Sequence, residues 1–141
     1  MTAPVSPLTR ALHGLSHGLS NDQKRMEVAT ENFVNANTTS NVPGGDPYRR
    51  KIITYDQKFD PNMGERAYLV KEARDQAEFL TEYDPTHPAA DENGMVKKPN
   101  VNTMIESVDF QRAGTDHQAK VEAYKNISRT IHNTIGLMDT K

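Results

Sequence analysis

Counting in sevens from Val5 gives Val5, Leu12, Leu19, Met26 and Phe33, and counting from Leu8 gives Leu8, Leu15, Asp22, Ala29 and Ala36. Only Asp22 breaks the series. Two interleaved sets seven apart, offset by three, are the a and d positions of a coiled-coil seam, a narrow apolar stripe that faces a partner helix. Ser6 followed by Pro7 is a start signal, because the hydroxyl caps orphan amides and proline tolerates the first helical position. Asn35, Asn37, Thr38, Thr39, Ser40 and Asn41 end the pattern, since short polar side chains compete for backbone hydrogen bonds. The spacing therefore predicts a helix over residues 6–37, a rod roughly 45 Å long. Such a rod cannot bury its stripe alone. Gly14 and Gly18, four apart, each cost about 1 kcal/mol relative to Ala, so packing must stabilise the helix. They form either a smooth strip for close approach of another backbone or a tolerant exposed face.

A second long helix is expected from Thr103, where Thr103-Met104-Ile105-Glu106 has capping-box spacing. Its later half carries a stripe at Val121, Tyr124, Ile127, Ile131, Ile135 and Met138. Extended backwards, the stripe passes through His117 and Phe110 and misses Ile105 and Val108. The seam changes phase there, beside Gly114. The first turns are expected to pack on the middle segment and the later turns on the N-terminal helix, with a kink near Gly114.

Between the helices, Val42-Pro43-Gly44-Gly45-Asp46-Pro47 reads as a linker and Asp60-Pro61-Asn62-Met63-Gly64 as a turn. Residues 48–59, with Ile52, Ile53, Thr54 and Tyr55, read as a strand. Residues 65–83 fit both patterns: Ala67, Val70, Ala73, Ala77 and Leu80 have helical spacing, which periodicity favours, while Ala67-Tyr68-Leu69-Val70 also reads as a short strand. The prolines of Asp84-Pro85-Thr86-His87-Pro88 hold that run out of helical conformation. Asn93-Gly94 is a hairpin turn signal, with Met95-Val96 a short strand after it.

The fold expected is mainly α with a small β-containing insert. The N- and C-terminal helices, residues 1–39 and 102–141, pair as a coiled coil and form one core domain, and residues 40–101 project from it. Only 35% of the 141 residues are hydrophobic and there is no Trp, so little compact core is expected. Two helices bury too little area to be secure alone. Leu8, Leu12, Leu15, Leu19, Met26 and Phe33, with Val121, Tyr124, Ile127, Ile131, Ile135 and Met138, are the expected subunit-packing residues. A surface that meets a different surface on the next copy generates rings or open filaments.

Reactive chemistry has little to stand on. With 17 basic and 19 acidic side chains the net charge is -2, which gives no reason to expect nucleic acid or an anionic membrane as partner. The absence of Cys removes disulfides, thiolate catalysis and Cys-based zinc sites. No apolar run approaches membrane-spanning length, and the N-terminus lacks a long apolar signal region, so if the protein leaves the cytoplasm it is expected to do so without a cleaved secretory signal. Both chain ends are expected to be held by neighbours. His13 and His17 have the spacing of two metal ligands but no third ligand, and read as a solvated helix face. His87, between Asp84 and Asp91, suits a structured loop. Ser16, Ser20 and Ser107 have no identifiable His and Asp partners. Arg49, Arg50 and Lys51 read as a solvated or subunit-pairing face. His117 reads as a packed, hydrogen-bonded histidine rather than a pH switch. No catalytic residue, metal or cofactor is expected. The non-enzymatic alternative is a soluble helical-hairpin adaptor or export chaperone.

The helix end Asn35-Ala36-Asn37-Thr38-Thr39 resembles the N-terminal signature of the flagellar rod, hook and filament-axis proteins. Gly44-Gly45-Asp46-Pro47-Tyr48-Arg49-Arg50-Lys51 is similar to the "GGPYRRK" segment of the proximal-rod family within that group. The run from Tyr83 to Asn102, with Asp84, Pro85, His87, Pro88, Asp91, Gly94, Pro99 and Asn100, is similar to its "YDPxHPxADxxGxVxxPNV" stretch. The resemblance covers nearly the whole chain. It implies a structural subunit of the proximal rod in the flagellar basal body, a periplasmic drive shaft that transmits torque. The terminal helices would pack with copies of the chain and with other rod proteins as an inner tube. The middle segment would reach outward to adjoining rod proteins and the surrounding basal body, and the flagellar type III export apparatus would deliver the subunit. The resemblance also implies strand rather than helix for residues 65–83. Two stretches depart from it: Ala113-Gly114-Thr115-Asp116-His117-Gln118-Ala119-Lys120, where the family has an "ASRAYQAN"-like run, and residues 65–81.

Overall fold

The computed structural model describes residues 6–138, with Met138 described by its backbone alone. The expectations for the chain ends, for Val5 in the seam and for the Met138 side chain lie outside the described residues.

Helix α1 spans Pro7–Val34. Ser6 starts it as its position suggests: its hydroxyl oxygen accepts from the Thr9 amide at 3.1 Å, satisfying an orphan donor of the first turn. It ends three residues short of Asn37 because the Asn35 side-chain amide donates back to the Glu31 carbonyl at 2.9 Å. The chain then turns, and the Thr38 amide donates to the Asn35 carbonyl at 3.0 Å.

Strands β1, Lys51–Asp60, and β2, Glu65–Arg74, form a two-stranded sheet. In the turn between them, the Met63 and Gly64 amides both donate to the Asp60 carbonyl, and Gly64 has a φ of +72°. Strand β1 begins at Lys51 rather than Tyr48 because the preceding amides are taken elsewhere: Tyr48 by the Thr38 carbonyl at 2.9 Å and Arg50 by the Asn100 side chain at 2.9 Å. A second sheet pairs β3, Leu80–Tyr83, antiparallel with β4, Met95–Lys98, with Leu80 opposite Lys98 and Tyr83 opposite Met95.

The helical reading of residues 65–83 is overturned, and the strand reading that the resemblance implied holds for β2 and β3. Helical spacing there rests mostly on alanines, which bury too little to decide an element. The turn at residues 60–64 instead carries the chain back to pair with β1.

Helix α2 spans Thr103–Met138, unbroken through Gly114, so the phase change of the seam is not a break in the helix. Its cap is Asn102, not Thr103: the Asn102 side-chain oxygen accepts from the Met104 amide at 3.0 Å and the Ile105 amide at 3.3 Å. Glu106 does not complete a capping box. No helix among the described residues is long and apolar enough to cross a membrane.

The chain folds as two compact units: Met1–Lys24, Tyr55–Lys71 and Arg112–Lys141 form unit 1, and Arg25–Thr54 and Glu72–Gln111 form unit 2. Unit 1 buries Met63, Ala67 and Ala113, and unit 2 buries Val28, Ala29, Ala89 and Val96. In each, a stretch of α1 lies against a stretch of α2, through Asp22 and Lys120 in unit 1 and Asn32 and Glu106 in unit 2. The Gly14 and Gly18 strip is occupied by side chains of the same unit. A β-carbon on Gly14 would sit 3.6 Å from Met63 Cε, and one on Gly18 only 2.9 Å from Lys120 Cδ and Cε.

Candidate functional site

Unit 2 is organised around a buried polar junction where the Tyr48-Arg49-Arg50-Lys51 run meets α1 and α2. Asn32, fully buried, donates from Nδ2 to the Lys51 carbonyl at 2.8 Å and to Glu106 Oε2 at 3.0 Å. Its Oδ1 accepts from the Tyr48 hydroxyl at 2.9 Å and the Lys51 amide at 2.8 Å. That is the full capacity of a carboxamide, two donors and two acceptors. Burial, with the Glu31 carboxylate nearby, pushes the Tyr48 phenol up and keeps it a donor. Glu106, almost fully buried, accepts on its other oxygen from Arg50 Nε at 2.6 Å. Arg50 also reaches Asp75 at 3.5 Å. Lys51 Nζ bridges Glu31 at 2.7 Å and Glu72 at 3.1 Å.

Arg49 holds the segment after β2. Its Nη1 donates to the Asp75 carbonyl at 2.9 Å and the Ala77 carbonyl at 3.0 Å, and its guanidinium lies 4.0 Å from the centre of the Phe79 ring. This corrects the reading of the basic run as a solvated or subunit-pairing face. All three cations are engaged inside unit 2, where a lone buried Glu106 would otherwise be costly.

The remaining motif residues build the two turns flanking this junction. At the first, Thr38 donates its hydroxyl to Asn35 Oδ1 at 3.1 Å, with Ala36 and Asn37 between them. In the second, Asp84 Oδ1 accepts from the Thr86 amide at 3.1 Å and hydroxyl at 2.7 Å, the hydroxyl bond being the main reason the carboxyl stays below its usual range. His87 Nδ1 accepts from the Ala89 amide at 3.0 Å, between Pro85 and Pro88. Asp91 Oδ1 accepts from the Asn93 amide at 2.8 Å and the Met95 amide at 2.9 Å. Gly94 sits at φ +76°, and a β-carbon there would lie 2.9 Å from the Tyr83 ring. Pro99 is buried beside Asn100, whose side chain holds the Arg50 amide. Among the described residues, no group of acidic or histidine side chains is arranged to hold a metal ion.

In unit 1 the β1–β2 hairpin is tied to α1. His17 Nε2 lies 2.5 Å from Asp60 Oδ2, which corrects the reading of His17 as part of a solvated face. That contact, and the Asn62 amide, hold the Asp60 carboxyl below its usual value. Asn21 mimics a strand residue, its Nδ2 donating to the Tyr68 carbonyl at 2.7 Å and its Oδ1 accepting from the Val70 amide at 3.1 Å. Asp22, the break in the heptad series, is buried with Lys120 Nζ at 2.5 Å. His117 is half-buried on α2, but its Nδ1 finds no hydrogen-bond partner, contrary to the expected hydrogen-bonded histidine.

The apolar stripes remain open. Leu12, Leu15, Leu19, Met26, Val121, Ile127 and Ile131 are half-buried, while Leu8, Phe33, Tyr124 and Ile135 are exposed. Large apolar side chains standing in rows at a surface mark an interaction face. The polar junction was invisible in sequence except through the motif. Asn21 sits mid-helix, where asparagine is a poor helix former, and that is the one local signal that it is held by tertiary bonds; Asn32, in the last turn of α1, carries no such signal.

No family model matches the chain. It is 38% identical over 135 residues, covering 95% of this chain and 97% of the relative, to the flagellar basal-body rod protein FlgC of Agrobacterium fabrum. It is 32% identical over 120 residues, 84% of this chain and 89% of the relative, to the protein of the same name from Salmonella typhimurium. The corresponding Bacillus subtilis protein is 31% identical over 132 residues, covering 80% of this chain and 88% of the relative.

Proposed function

The chain belongs to the FlgC family of flagellar basal-body rod proteins, and on that premise we propose that it builds the proximal rod by packing its two terminal helices against those of neighbouring subunits. It is a structural rod component and not an enzyme. The observation that carries this is the 38% identity to a rod protein across 95% of the chain. The rows of open apolar side chains on α1 and α2 support the packing mode.

In this reading, residues 1–39 and 102–141 pair as a coiled coil in an inner tube, and residues 40–101 face outward toward adjoining rod proteins. Copies of the chain and other rod proteins cover Leu8, Leu12, Leu15, Leu19, Met26 and Phe33 on α1, and Val121, Tyr124, Ile127, Ile131, Ile135 and Met138 on α2. A tube of interlocked helices resists twisting and so transmits torque. The subunit passes through the flagellar export apparatus and works in the periplasmic part of the basal body. The motif residues serve by folding the subunit: Tyr48, Arg49, Arg50 and Asn100 fix the junction, and Asp84, His87, Asp91 and Gly94 fix the turn.

Replacing Leu12 or Ile131 with Asp places a charge in the packing face and is expected to abolish rod assembly and motility while synthesis continues. Swimming by a strain whose only copy carries either change would contradict the proposal.

A further inference from the structure

Asn93-Gly94, which the sequence marks as a turn, also carries a chemistry of its own. We propose that it is a site of spontaneous deamidation that the folded turn of unit 2 holds shut, and that isoaspartate formed there stops the turn from closing again. Asparagine is a thermolabile side chain, and it reacts fastest where the next residue has no β-carbon to crowd the main-chain nitrogen. The chain has eleven asparagines, and Asn93 alone is followed by glycine. The Gly94 nitrogen gives its proton to solvent and adds to the Asn93 side-chain carbonyl carbon. That carbon releases its own nitrogen as ammonia, leaving a cyclic imide. Water then opens the ring at one of its two carbonyls: at the side-chain carbonyl the product is aspartate, and at the main-chain carbonyl it is isoaspartate, whose main chain runs through the side-chain methylene. No oxidant or reductant takes part.

In the folded turn the nitrogen is kept from its target. Asn93 is exposed at the tip, within reach of water, whereas Gly94 is buried. The Gly94 amide donates to the Asp91 carbonyl at 2.9 Å, and the Asn93 amide donates to Asp91 Oδ1 at 2.8 Å. The Gly94 carbonyl accepts from the Asp84 amide at 3.0 Å. Gly94 is held at φ +76°, with the Tyr83 ring and Pro85 closed over it, 2.9 Å and 3.0 Å from where a β-carbon would stand. To attack the Asn93 side chain, the nitrogen must leave Asp91 and turn about a bond that these contacts fix. The reaction therefore runs through local opening of the turn.

The two products differ in what they do to the fold. Aspartate at position 93 adds one exposed negative charge and leaves the backbone path alone. Isoaspartate adds a methylene to the main chain between the two amides that Asp91 Oδ1 holds, those of Asn93 and Met95. The Asp91 amide also donates to the Met95 carbonyl at 2.9 Å, and Tyr83 pairs with Met95 where β3 meets β4. A lengthened chain cannot meet both ends of that turn.

The test incubates the purified full-length chain in mildly alkaline buffer with and without urea and follows acid formation at each asparagine by peptide mapping and mass spectrometry. Acid should appear first at position 93 in urea, and at least about tenfold more slowly there without it. Asp91→Ala, which frees the Asn93 and Met95 amides, should bring the rate in buffer toward the rate in urea; the two wild-type rates decide the point even where that variant fails to fold. After removal of urea, Asn93→Asp should recover slow hydrogen exchange at the Met95 amide, and wild-type chains carrying isoaspartate, separated by chromatography, should not. Equal wild-type rates in the two buffers, faster reaction at another asparagine in urea, or recovery by the isoaspartate chains would overturn the proposal.

Discussion

Asn32 is the residue on which unit 2 most depends, because every donor and acceptor of its carboxamide is engaged in a buried site. Asn32→Ala leaves the Lys51 backbone, the Tyr48 hydroxyl and a Glu106 oxygen short of partners and is expected to cost about 2–3 kcal/mol, read by urea denaturation. Asn32→Asp should cost more despite its matched shape, since it sets a carboxylate against Glu106 and the Lys51 carbonyl. Acid sensitivity is also set by single residues. The aspartates held below their usual range are Asp60 by His17, Asp46 by Lys97, Asp56 by Lys71 and Asp84 by Thr86. Their folded pKa values lie below the unfolded value of about 3.9, so in that window the unfolded chain binds more protons. Their stabilisation is present above about pH 4 and is lost as the pH falls through the folded values. Unfolding measured between about pH 5 and 2 should show a shallower acid loss in Asp60→Asn than in the wild type. An equal slope would remove the His17 contact from the account.

At the scale of elements, the two long helices and the two turns at residues 60–64 and 91–95 were legible because their signals are local: a heptad series, a serine before proline, and glycines where the backbone must turn. Gly94→Ala would have to hold a positive φ and meet the Tyr83 ring, an expected loss of about 1–3 kcal/mol in thermal unfolding. Asn102→Ala removes the α2 cap and should lose about 1 kcal/mol, whereas Thr103→Ala should be close to neutral. Residues 65–83 were misread from periodicity because strand pairing there is decided by β1 and Asn21 for β2 and by β4 for β3, none of which the local spacing contains. Glu106 was misread as a capping residue for the same reason: its partners Asn32 and Arg50 are far away in sequence. Asp22 looked like a flaw in the seam and is instead a buried partner of Lys120. The motif residues of the junction were found through resemblance, while their work inside the fold, and the engagement of the basic run, became visible only in three dimensions.

For the whole molecule, the central point is an incomplete burial. A chain with 35% hydrophobic residues leaves its longest apolar rows half open, and in the proposed assembly neighbouring subunits finish what one chain begins. Affinity in such an assembly comes from many modest helix contacts in parallel, so a charge in one row propagates to every copy. Because the chain lacks Cys, a single Ile135→Cys substitution reports directly on whether the row is covered. The measurement is the rate of maleimide labelling at that cysteine in the purified chain and in intact basal bodies. Labelling at least about tenfold slower in the basal body is the expected result, and equal rates in the two would contradict the account.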